Sequence, residues 1–370
     1  MHIGVPKEIK NSEKRVGLTP NSVKELVNHG HEVTVETNAG IGIGASDDSY
    51  MQSGATIAPS ATAIFDSAEM IVKVKEPQAE ERAKLNESQT LFTYLHLAPD
   101  LDQTNDLIDS KATCIAYETV TNDAGELPLL APMSKVAGRM SIQAGAHCLE
   151  ATQGGAGLLL GGVAGVAPAK VVVIGGGVVG EHAVQMAVGL GAQVTVFDRL
   201  VPVLDRLSAR FGPAVETIYS TNAALEAAVI DADLVIGAVL VKGAKAPKLV
   251  TAEMIKAMRP GSAVVDVAID QGGCFETAKA TTHTDPTYIV DGVVHYCVAN
   301  MPGGVPKTST FALNNATLPF VLQIADKGPE KAMLDNPHLM NGLNVYKGSI
   351  TEQEVAEALN MEYVEPKTLL

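Results

Sequence analysis

The segment KVVVIGGGVVGEHAVQMAVGLGAQVTVFD, residues 170–198, constrains the possible folds of this chain most strongly. Its pattern predicts a buried strand, a turn, a helix and a second strand. The turn carries Gly175, Gly177 and Gly180 as Gly-x-Gly-x-x-Gly, with Val179 inside the pattern. In a chain with 34 glycines this spacing alone indicates no more than a tight turn. Placed between an apolar strand and a helix, it is the pattern that dinucleotide-binding α/β domains require.

Each glycine has a physical task in such a turn. Gly175 makes the sharp bend, Gly177 lets the backbone approach a pyrophosphate, and Gly180 permits close packing of helix and sheet. Asp198 ends the second strand, where a carboxylate accepts hydrogen bonds from ribose hydroxyls and repels a 2′-phosphate. The predicted cofactor is therefore NAD. Arg199 keeps NADP open as an alternative, and a solvated acid at a strand end is the non-functional interpretation.

The rest of the chain repeats the alternation of strand-like and helix-like segments. With 370 residues, 46% hydrophobic content, 19% charged content and 4% aromatics, its core consists mainly of small aliphatic side chains. Such a core is typical of parallel sheets that helices cover on both faces. We predict an α/β protein of two doubly wound parallel-sheet (Rossmann-like) domains with the active site in the cleft between them. The predicted substrate domain is residues 1–128 plus 305–370, and the predicted NAD-binding domain is residues 129–304.

The predicted strands span residues 31–37, 70–75, 91–96, 112–117, 170–174, 193–198, 215–219, 233–240, 262–270 and 293–300. Three helices are also predicted. One begins at Pro20 with Thr19 as its N-cap and stops at Gly30, and the others span residues 178–190 and 309–326.

Charge and cysteine usage exclude several classes of function. The formal net charge is -15 with a pI near 5.0, and such a surface repels nucleic acid and anionic lipid. The four cysteines form no CxxC pair, which argues against a structural zinc site and a disulfide framework. The N-terminal residues lack a signal-peptide pattern, and Pro168 and Lys170 interrupt the longest apolar stretch. We expect a cytoplasmic protein.

Ligands of open α/β sheets bind beyond the carboxyl ends of the strands, and this rule selects Lys75, His96 and Asp270. A histidine after an apolar strand suits acid–base chemistry near neutral pH, and it equally suits a backbone cap. Tyr94 shares its predicted face by strand periodicity. Asp270 precedes two glycines, where an acid without a task would be unusual.

The cations are less informative by pattern alone. Lys73 and Lys75 share one face of a predicted strand, and a lysine pair on an edge strand often serves only to prevent aggregation. Arg15 is equally compatible with an ordinary surface position.

The ordered motifs nevertheless resemble a known family, the alanine dehydrogenases, which are related to the NAD-binding part of proton-pumping transhydrogenases. The resemblance covers nearly the whole chain and rests on several segments in the same order. They are MHIGVPKEIKNSEKRVGLTP, IVKVKEP, TYLHLA, APMSKVAGRMSIQAGA, VVVIGGGVVG, DVAIDQGGCFET and HYCVANMPGGVPKTST.

The resemblance implies an activity: NAD-dependent interconversion of L-alanine with pyruvate and ammonium. It implies that Arg15 and Lys75 hold the substrate carboxylate and keto oxygen, that His96 is the acid–base residue and that Asp270 orders or activates water. It also implies a homo-hexamer. The NAD contacts that it implies are Ser134, Asp198, Ser220, Val239, Leu240, Val267, Asn300 and Met301.

One position departs from the family pattern. The resemblance implies that some family members bind magnesium between an acid at the position of Glu118 and a histidine after the long C-terminal helix. This chain has Lys327 where that histidine is expected, so we predict no dedicated metal.

Two other functions remain compatible with these motifs. A transhydrogenase subunit would need a membrane partner, and this chain ends at MEYVEPKTLL without a transmembrane segment. A catalytically silent NAD sensor is the second alternative, because a fold does not by itself imply activity. The joint presence of Arg15, Lys75, His96 and Asp270 favours the dehydrogenase.

Overall fold

A computed structural model describes residues 1–239 and 246–370. The strands among the described residues are β1 (His2–Val5), β2 (Glu32–Glu36), β3 (Thr56–Ala58), β4 (Met70–Val72), β5 (Thr90–Thr93), β6 (Thr113–Ala116), β7 (Lys170–Ile174), β8 (Gln193–Asp198), β9 (Val215–Tyr219), β10 (Leu234–Gly237), β11 (Ala263–Asp266), β12 (Thr287–Val290), β13 (Val293–Tyr296), β14 (Leu343–Tyr346) and β15 (Ser349–Ile350). The helices described are α1 (Pro20–Asn28), α2 (Asp47–Gln52), α3 (Ala61–Phe65), α4 (Ala79–Arg82), α5 (Leu101–Ser110), α6 (Ala131–Cys148), α7 (Val178–Gly189), α8 (Val201–Phe211), α9 (Asn222–Asp231), α10 (Ala252–Ala257), α11 (Pro306–Lys327), α12 (Pro329–Asp335), α13 (Pro337–Met340) and α14 (Gln353–Leu359).

The chain forms two compact units, each with one sheet. Unit 1 comprises Met1–Met133 with Val305–Leu370, and unit 2 comprises Ser134–Gly304. Both are α/β, which confirms the predicted fold class. Within the part of the chain that the structure describes, no helix is both long and apolar enough to cross a membrane.

The two sheets share one strand order. In unit 1 six parallel strands run β3-β2-β1-β4-β5-β6, followed by β14 and β15, which pair antiparallel. In unit 2 six parallel strands run β9-β8-β7-β10-β11-β13, followed by β12, which pairs antiparallel to β13. Each six-strand set thus has the order 3-2-1-4-5-6 of dinucleotide-binding sheets. The order reverses between β1 and β4 and between β7 and β10, and ligands bind at the carboxyl ends there.

The apolar run of β7 packs on both sides of its sheet. Val171 and Val173 belong to the core on one face, and Val172 and Ile174 belong to the core on the other. Successive side chains of a strand point to opposite faces, so an unbroken apolar run is what a strand covered by helices on both sides needs.

Several predicted strands extend too far at their carboxyl ends. The strands predicted to reach Lys75, His96, Asp270 and Asn300 stop three or four residues earlier, at the ends of β4, β5, β11 and β13. At His96 and Asn300 the reason is local, because their φ angles of 51° and 58° are left-handed and incompatible with a strand. The helix predictions fared better: Thr19 caps α1 at Pro20, and α7 and α11 lie within a few residues of prediction.

Candidate active site

In unit 1, four neighbouring parallel strands deliver polar side chains to one edge of the sheet. Arg15 lies in the loop after β1, Lys75 after β4, His96 after β5 and Glu118 after β6. Since β1 and β4 flank the reversal in strand order, this edge is where the topology predicts a ligand.

Arg15 is buried, and Glu13 binds both its guanidinium group and its backbone N–H. Its Nε and Nη2 donate to Glu13 Oε1 and Oε2 at 2.7 and 2.5 Å, and its backbone N–H donates to Glu13 Oε1 at 3.0 Å. Only 2% of Arg15 is exposed. A bidentate contact of this kind fixes the plane of the guanidinium group as well as its position. The Arg15 charge therefore has a defined orientation without a ligand.

The loop that carries Arg15 depends on a glycine and on α11. A Cβ on Gly17 would lie 2.3 Å from the carbonyl oxygen of Val72, so only glycine lets the loop lie against the end of β4. Asn314 of α11 accepts from Thr19 N–H at 3.0 Å and donates to the Gly17 carbonyl at 2.8 Å. Asn314 was not selected from the sequence. Its signal in the sequence was an amide side chain within the predicted helix 309–326, and the structure shows that this side chain is buried.

The edge-strand interpretation of Lys73 and Lys75 is wrong. β4 lies inside the sheet, between β1 and β5, and Lys73 is wholly buried. Lys73 Nζ donates to Glu8 at 3.1 Å and to Glu81 at 2.7 Å. Burial raises the pKa of Glu8, and the charge of Lys73 opposes that rise. Lys73 is a structural cation that joins the loops after β1 and β4.

Lys75 has different surroundings. Its Nζ lies 3.5 Å from Glu76 Oε2, while Lys10 pairs with the other oxygen of Glu76. Burial raises the pKa of Glu76, but Lys75 and Lys10 outweigh it and leave the pKa below its usual value. The Lys75 backbone N–H donates to Glu8 Oε1 at 3.3 Å. An ionised Glu76 thus stands beside the Lys75 ammonium group.

His96 combines a fixed backbone with an accessible ring. Its N–H donates to Glu118 Oε1 at 2.5 Å, and its Nδ1 lies 3.6 Å from the same oxygen. The side chain is 45% exposed. The ring stacks on Tyr94 with centroids 5.7 Å apart, and Tyr94 donates to the Leu129 carbonyl at 2.5 Å.

Tyr94 contacts the His96 ring and also feels the charge of Arg15. Burial raises the pKa of Tyr94 well above its usual value, the nearby charge of Arg15 opposes this, and Glu118 adds to it. The Tyr94 phenol therefore stacks on His96 and interacts electrostatically with Arg15 and Glu118. Sequence reasoning found Arg15 and His96 but missed Glu13 and gave Glu118 no role toward His96.

The glycine turn of unit 2 has the shape that a pyrophosphate needs. Gly175 has φ 97°, and a Cβ on Gly180 would lie 1.7 Å from the Gly175 carbonyl oxygen. A Cβ on Gly177 would meet no atom within 4 Å, so the space beside it is open to a ligand. α7 begins after Gly177 with no side chain capping its N–H groups, and Val179 is buried in its first turn. These residues fit a dinucleotide.

Asp198 is oriented by backbone groups of that turn. Its Oδ2 accepts from Gly176 N–H at 2.7 Å and its Oδ1 accepts from Leu200 N–H at 2.8 Å. Ser220, after β9, donates its N–H to the Asp198 carbonyl at 2.9 Å. Gly176 also receives a hydrogen bond of 3.0 Å on its carbonyl from Arg206 Nη2.

The remaining residues of unit 2 that the sequence predicted to be functional differ in their exposure to solvent. Asp270 is exposed in the 3-10 turn Val267–Gln271, and its Oδ1 accepts from Asn300 N–H at 3.3 Å. Met301 is buried beside Asn300, whereas Val267 and Val239 are half-buried. Ser134 is half-buried in α6 and Leu240 lies outside the described residues.

Asp266 was missed by sequence reasoning. It is fully buried at the start of this 3-10 turn and accepts from Ala268 N–H at 3.1 Å and Cys274 N–H at 2.9 Å. Burial raises its pKa to about 6. Asp266 therefore shapes the loop that carries Asp270.

The departure at Lys327 has a simple structural counterpart. Lys327, at the end of α11, pairs with Asp335 at 2.8 Å. Glu118 accepts from the N–H groups of Leu95 and His96. Among residues 1–239 and 246–370, no group of three or more His, Cys, Asp or Glu side chains is arranged to hold a metal ion.

Comparison with known proteins gives matches along the whole chain. Residues 4–137 match the family model "Alanine dehydrogenase/PNT, N-terminal domain", and residues 141–353 match "Alanine dehydrogenase/PNT, C-terminal domain". An alanine dehydrogenase of Halomonas elongata is 61% identical over 370 residues, 100% of both chains. A solved L-alanine dehydrogenase is 55% identical, with a TM-score of 0.94 over 97% of this chain and 99% of its own. A transhydrogenase of Sinorhizobium meliloti shares the fold, at 24% identity and a TM-score of 0.81 over 95% and 99% of the chains.

Proposed function

The chain belongs to the alanine dehydrogenase/PNT family, and from this we propose that it interconverts L-alanine with pyruvate and ammonium, using NAD. It is an oxidoreductase, as are its full-length relatives. The observation that carries the proposed reaction is that Arg15, Lys75 and His96 lie in the loops after the neighbouring strands β1, β4 and β5, because a 2-oxo acid needs cations and an acid–base group together.

NAD is held by unit 2 in this proposal. Gly177 and the N-terminus of α7 receive the pyrophosphate, and Asp198 accepts hydrogen bonds from the adenosine ribose. The proposed contacts are Ser134, Gly175, Gly177, Val179, Gly180, Asp198, Ser220, Val239, Leu240, Val267, Asn300 and Met301. When bound, the nicotinamide ring accepts a hydride from Cα of alanine and returns it in the reverse direction.

Arg15 and Lys75 bind the substrate. The guanidinium of Arg15, oriented by Glu13, holds the carboxylate, and Lys75 stabilises negative charge on the keto oxygen. Both groups act through position, because they align the substrate carbon and neutralise its charges.

His96 and Asp270 carry the proton transfers. Loss of hydride from Cα leaves an iminium, to which water adds while His96 or Asp270 takes the proton. The base then returns that proton to the carbinolamine nitrogen, which leaves as ammonia, and pyruvate forms as the hydroxyl proton is removed. The exposure of the His96 ring gives it access to that water. We infer that residues 1–128 with 305–370 form the substrate domain, that residues 129–304 form the NAD-binding domain and that the chain assembles as a homo-hexamer by family resemblance.

The direct test is NADH formation by the purified protein with NAD and L-alanine at mildly alkaline pH. Glycine, L-serine and L-glutamate serve as comparison substrates, and NADP replaces NAD in a parallel assay. We expect the highest turnover with alanine and NAD. Absence of turnover in a protein that still binds NADH would refute the dehydrogenase and favour the transhydrogenase-like or sensor functions.

A further inference from the structure

One acid beside the glycine turn has no role in the proposed reaction, and it holds two arginines. Glu181 lies in the first turn of α7, and its two carboxylate oxygens form ion pairs with Arg206 and Arg210 of α8. Its side chain is 12% exposed, whereas the two arginine side chains are 48% and 43% exposed. One largely buried carboxylate thus pairs with two accessible guanidinium groups and offsets one of their two positive charges.

One of these arginines, Arg206, lies near Asp198, the proposed ligand of the adenosine ribose. Gly176 makes a hydrogen bond with each of its two backbone polar groups: its N–H donates to Asp198 at 2.7 Å, and its carbonyl accepts from Arg206 at 3.0 Å. The Asp198 carboxylate and the Arg206 guanidinium are therefore separated by a single residue of the turn. A phosphate on the ribose 2′-oxygen would enter between an acid that repels it and an arginine suited to bind it.

We propose that Glu181 is a second determinant of selectivity for NAD over NADP, because its carboxylate pairs with both Arg206 and Arg210 and so weakens their attraction for a 2′-phosphate. The inference rests on the proposed use of NAD and extends it to a residue that does not touch the ribose. Asp198 repels the phosphate directly, and Glu181 pairs with the arginines that would otherwise attract the phosphate. Loss of Asp198 alone consequently leaves a site without repulsion but also without an available arginine.

The prediction that follows is coupling between the two acids. In Asp198→Gly the repulsion disappears while Arg206 stays paired, so the gain in NADPH affinity is limited. In Glu181→Gln the arginines lose their countercharge while Asp198 still repels. The glutamine keeps the size and one acceptor oxygen of Glu181, and the Gly176 carbonyl still holds Arg206 in place. Only the double variant offers the phosphate an unpaired arginine without a nearby acid.

The experiment is a fluorescence titration of NADPH and NADH against the wild type, the two single variants and the double variant. We expect the double variant to bind NADPH at least about fivefold more tightly than the product of the two single effects predicts. The excess should shrink as ionic strength rises, since partly exposed charges are screened by salt. Adding Arg206→Gln to the double variant should remove the excess.

A matched control separates this effect from a general loss of negative charge. Glu216 on β9 is an exposed acid of the same unit, and its carboxylate accepts from Thr195 Oγ1 at 3.1 Å. Glu216→Gln combined with Asp198→Gly should behave like Asp198→Gly alone.

Two results overturn the inference. Independent effects of Asp198→Gly and Glu181→Gln on NADPH affinity would show that Glu181 does not restrain the arginines. An equal gain from Glu216→Gln would assign the effect to net charge. NADH binding by the same proteins reports on folding and on the proposed function separately. A wild type that binds no NADH refutes both, whereas normal NADH binding without coupling refutes only the role of Glu181.

Discussion

The backbone N–H of His96 donates a 2.5 Å hydrogen bond to Glu118 Oε1, an oxygen that also lies 3.6 Å from His96 Nδ1. His96 has φ 51°, a conformation that is uncommon for a residue other than glycine. The Glu118 carboxylate, after β6, therefore fixes the backbone of His96, whose ring is the proposed acid–base group after β5.

Glu118→Ala should lower kcat by about 10-fold to 100-fold, by analogy with the loss of a residue that orients a catalytic histidine. Glu118→Gln should retain much of the activity, because its side-chain oxygen still accepts from the His96 N–H. Steady-state kinetics of both variants check this. Equal activities would mean that the hydrogen bond does not position His96.

His96→Ala should reduce kcat by about 100-fold or more, the contribution expected of a positioned acid–base group. NADH affinity should stay close to that of the wild type, because the proposed NAD contacts belong to unit 2. His147→Ala is the matched control, since His147 is an exposed histidine at the end of α6. A kcat near the wild-type value for His96→Ala rules out the acid–base role.

Lys73→Met should lower the free energy of unfolding by about 3–5 kcal/mol, because Glu8 and Glu81 would remain buried without their cation. Burial already raises the Glu8 pKa, and loss of Lys73 raises it further. When the pKa of the Glu8 carboxyl is raised in the folded state, the folded protein loses stability as the pH rises and this carboxyl must ionise. The deficit should therefore be largest at alkaline pH and narrow as the pH falls toward 4.5, the ordinary glutamate pKa.

Urea denaturation across that pH range measures the effect of Lys73→Met, with Lys24→Met on the surface of α1 as the control. If the loss of unfolding free energy in Lys73→Met does not depend on pH, the unpaired carboxylates of Glu8 and Glu81 are not its cause.

Gly177→Ala and Gly180→Ala should separate binding from folding. A Cβ at position 177 meets no protein atom within 4 Å, so the variant should unfold like the wild type but bind NADH more weakly. A Cβ at position 180 would lie 1.7 Å from the Gly175 carbonyl, and it should cost about 1–3 kcal/mol of stability. Thermal denaturation and NADH titration of both proteins check the contrast. Normal NADH affinity in Gly177→Ala would contradict the proposed pyrophosphate position.

The parts of the fold that local pattern could predict were those with strong periodicity. β7, β8 and β9 have the predicted limits, and Thr19 caps α1 as expected. The carboxyl ends of β5 and β13 were predicted too long, since an apolar run does not reveal that His96 and Asn300 adopt left-handed backbone conformations. The short strands β14 and β15 were not predicted, because a few residues carry too little periodicity to be distinguished from a loop.

The sequence by itself determined the α/β class and the glycine turn that precedes Asp198, and it supplied Arg15, Lys75 and His96 as candidate site residues, because each depends on local pattern or on ordered motifs. Only the tertiary structure decided what each charge does. Lys73 and Lys75 are two residues apart and look alike in sequence. Lys73 is nevertheless buried and paired with Glu8 and Glu81, whereas Lys75 lies beside Glu76 in the loop after β4. The physical reason is that burial and ion pairing depend on side chains that are distant in sequence. Neighbouring strands bring those side chains together only when the sheet forms.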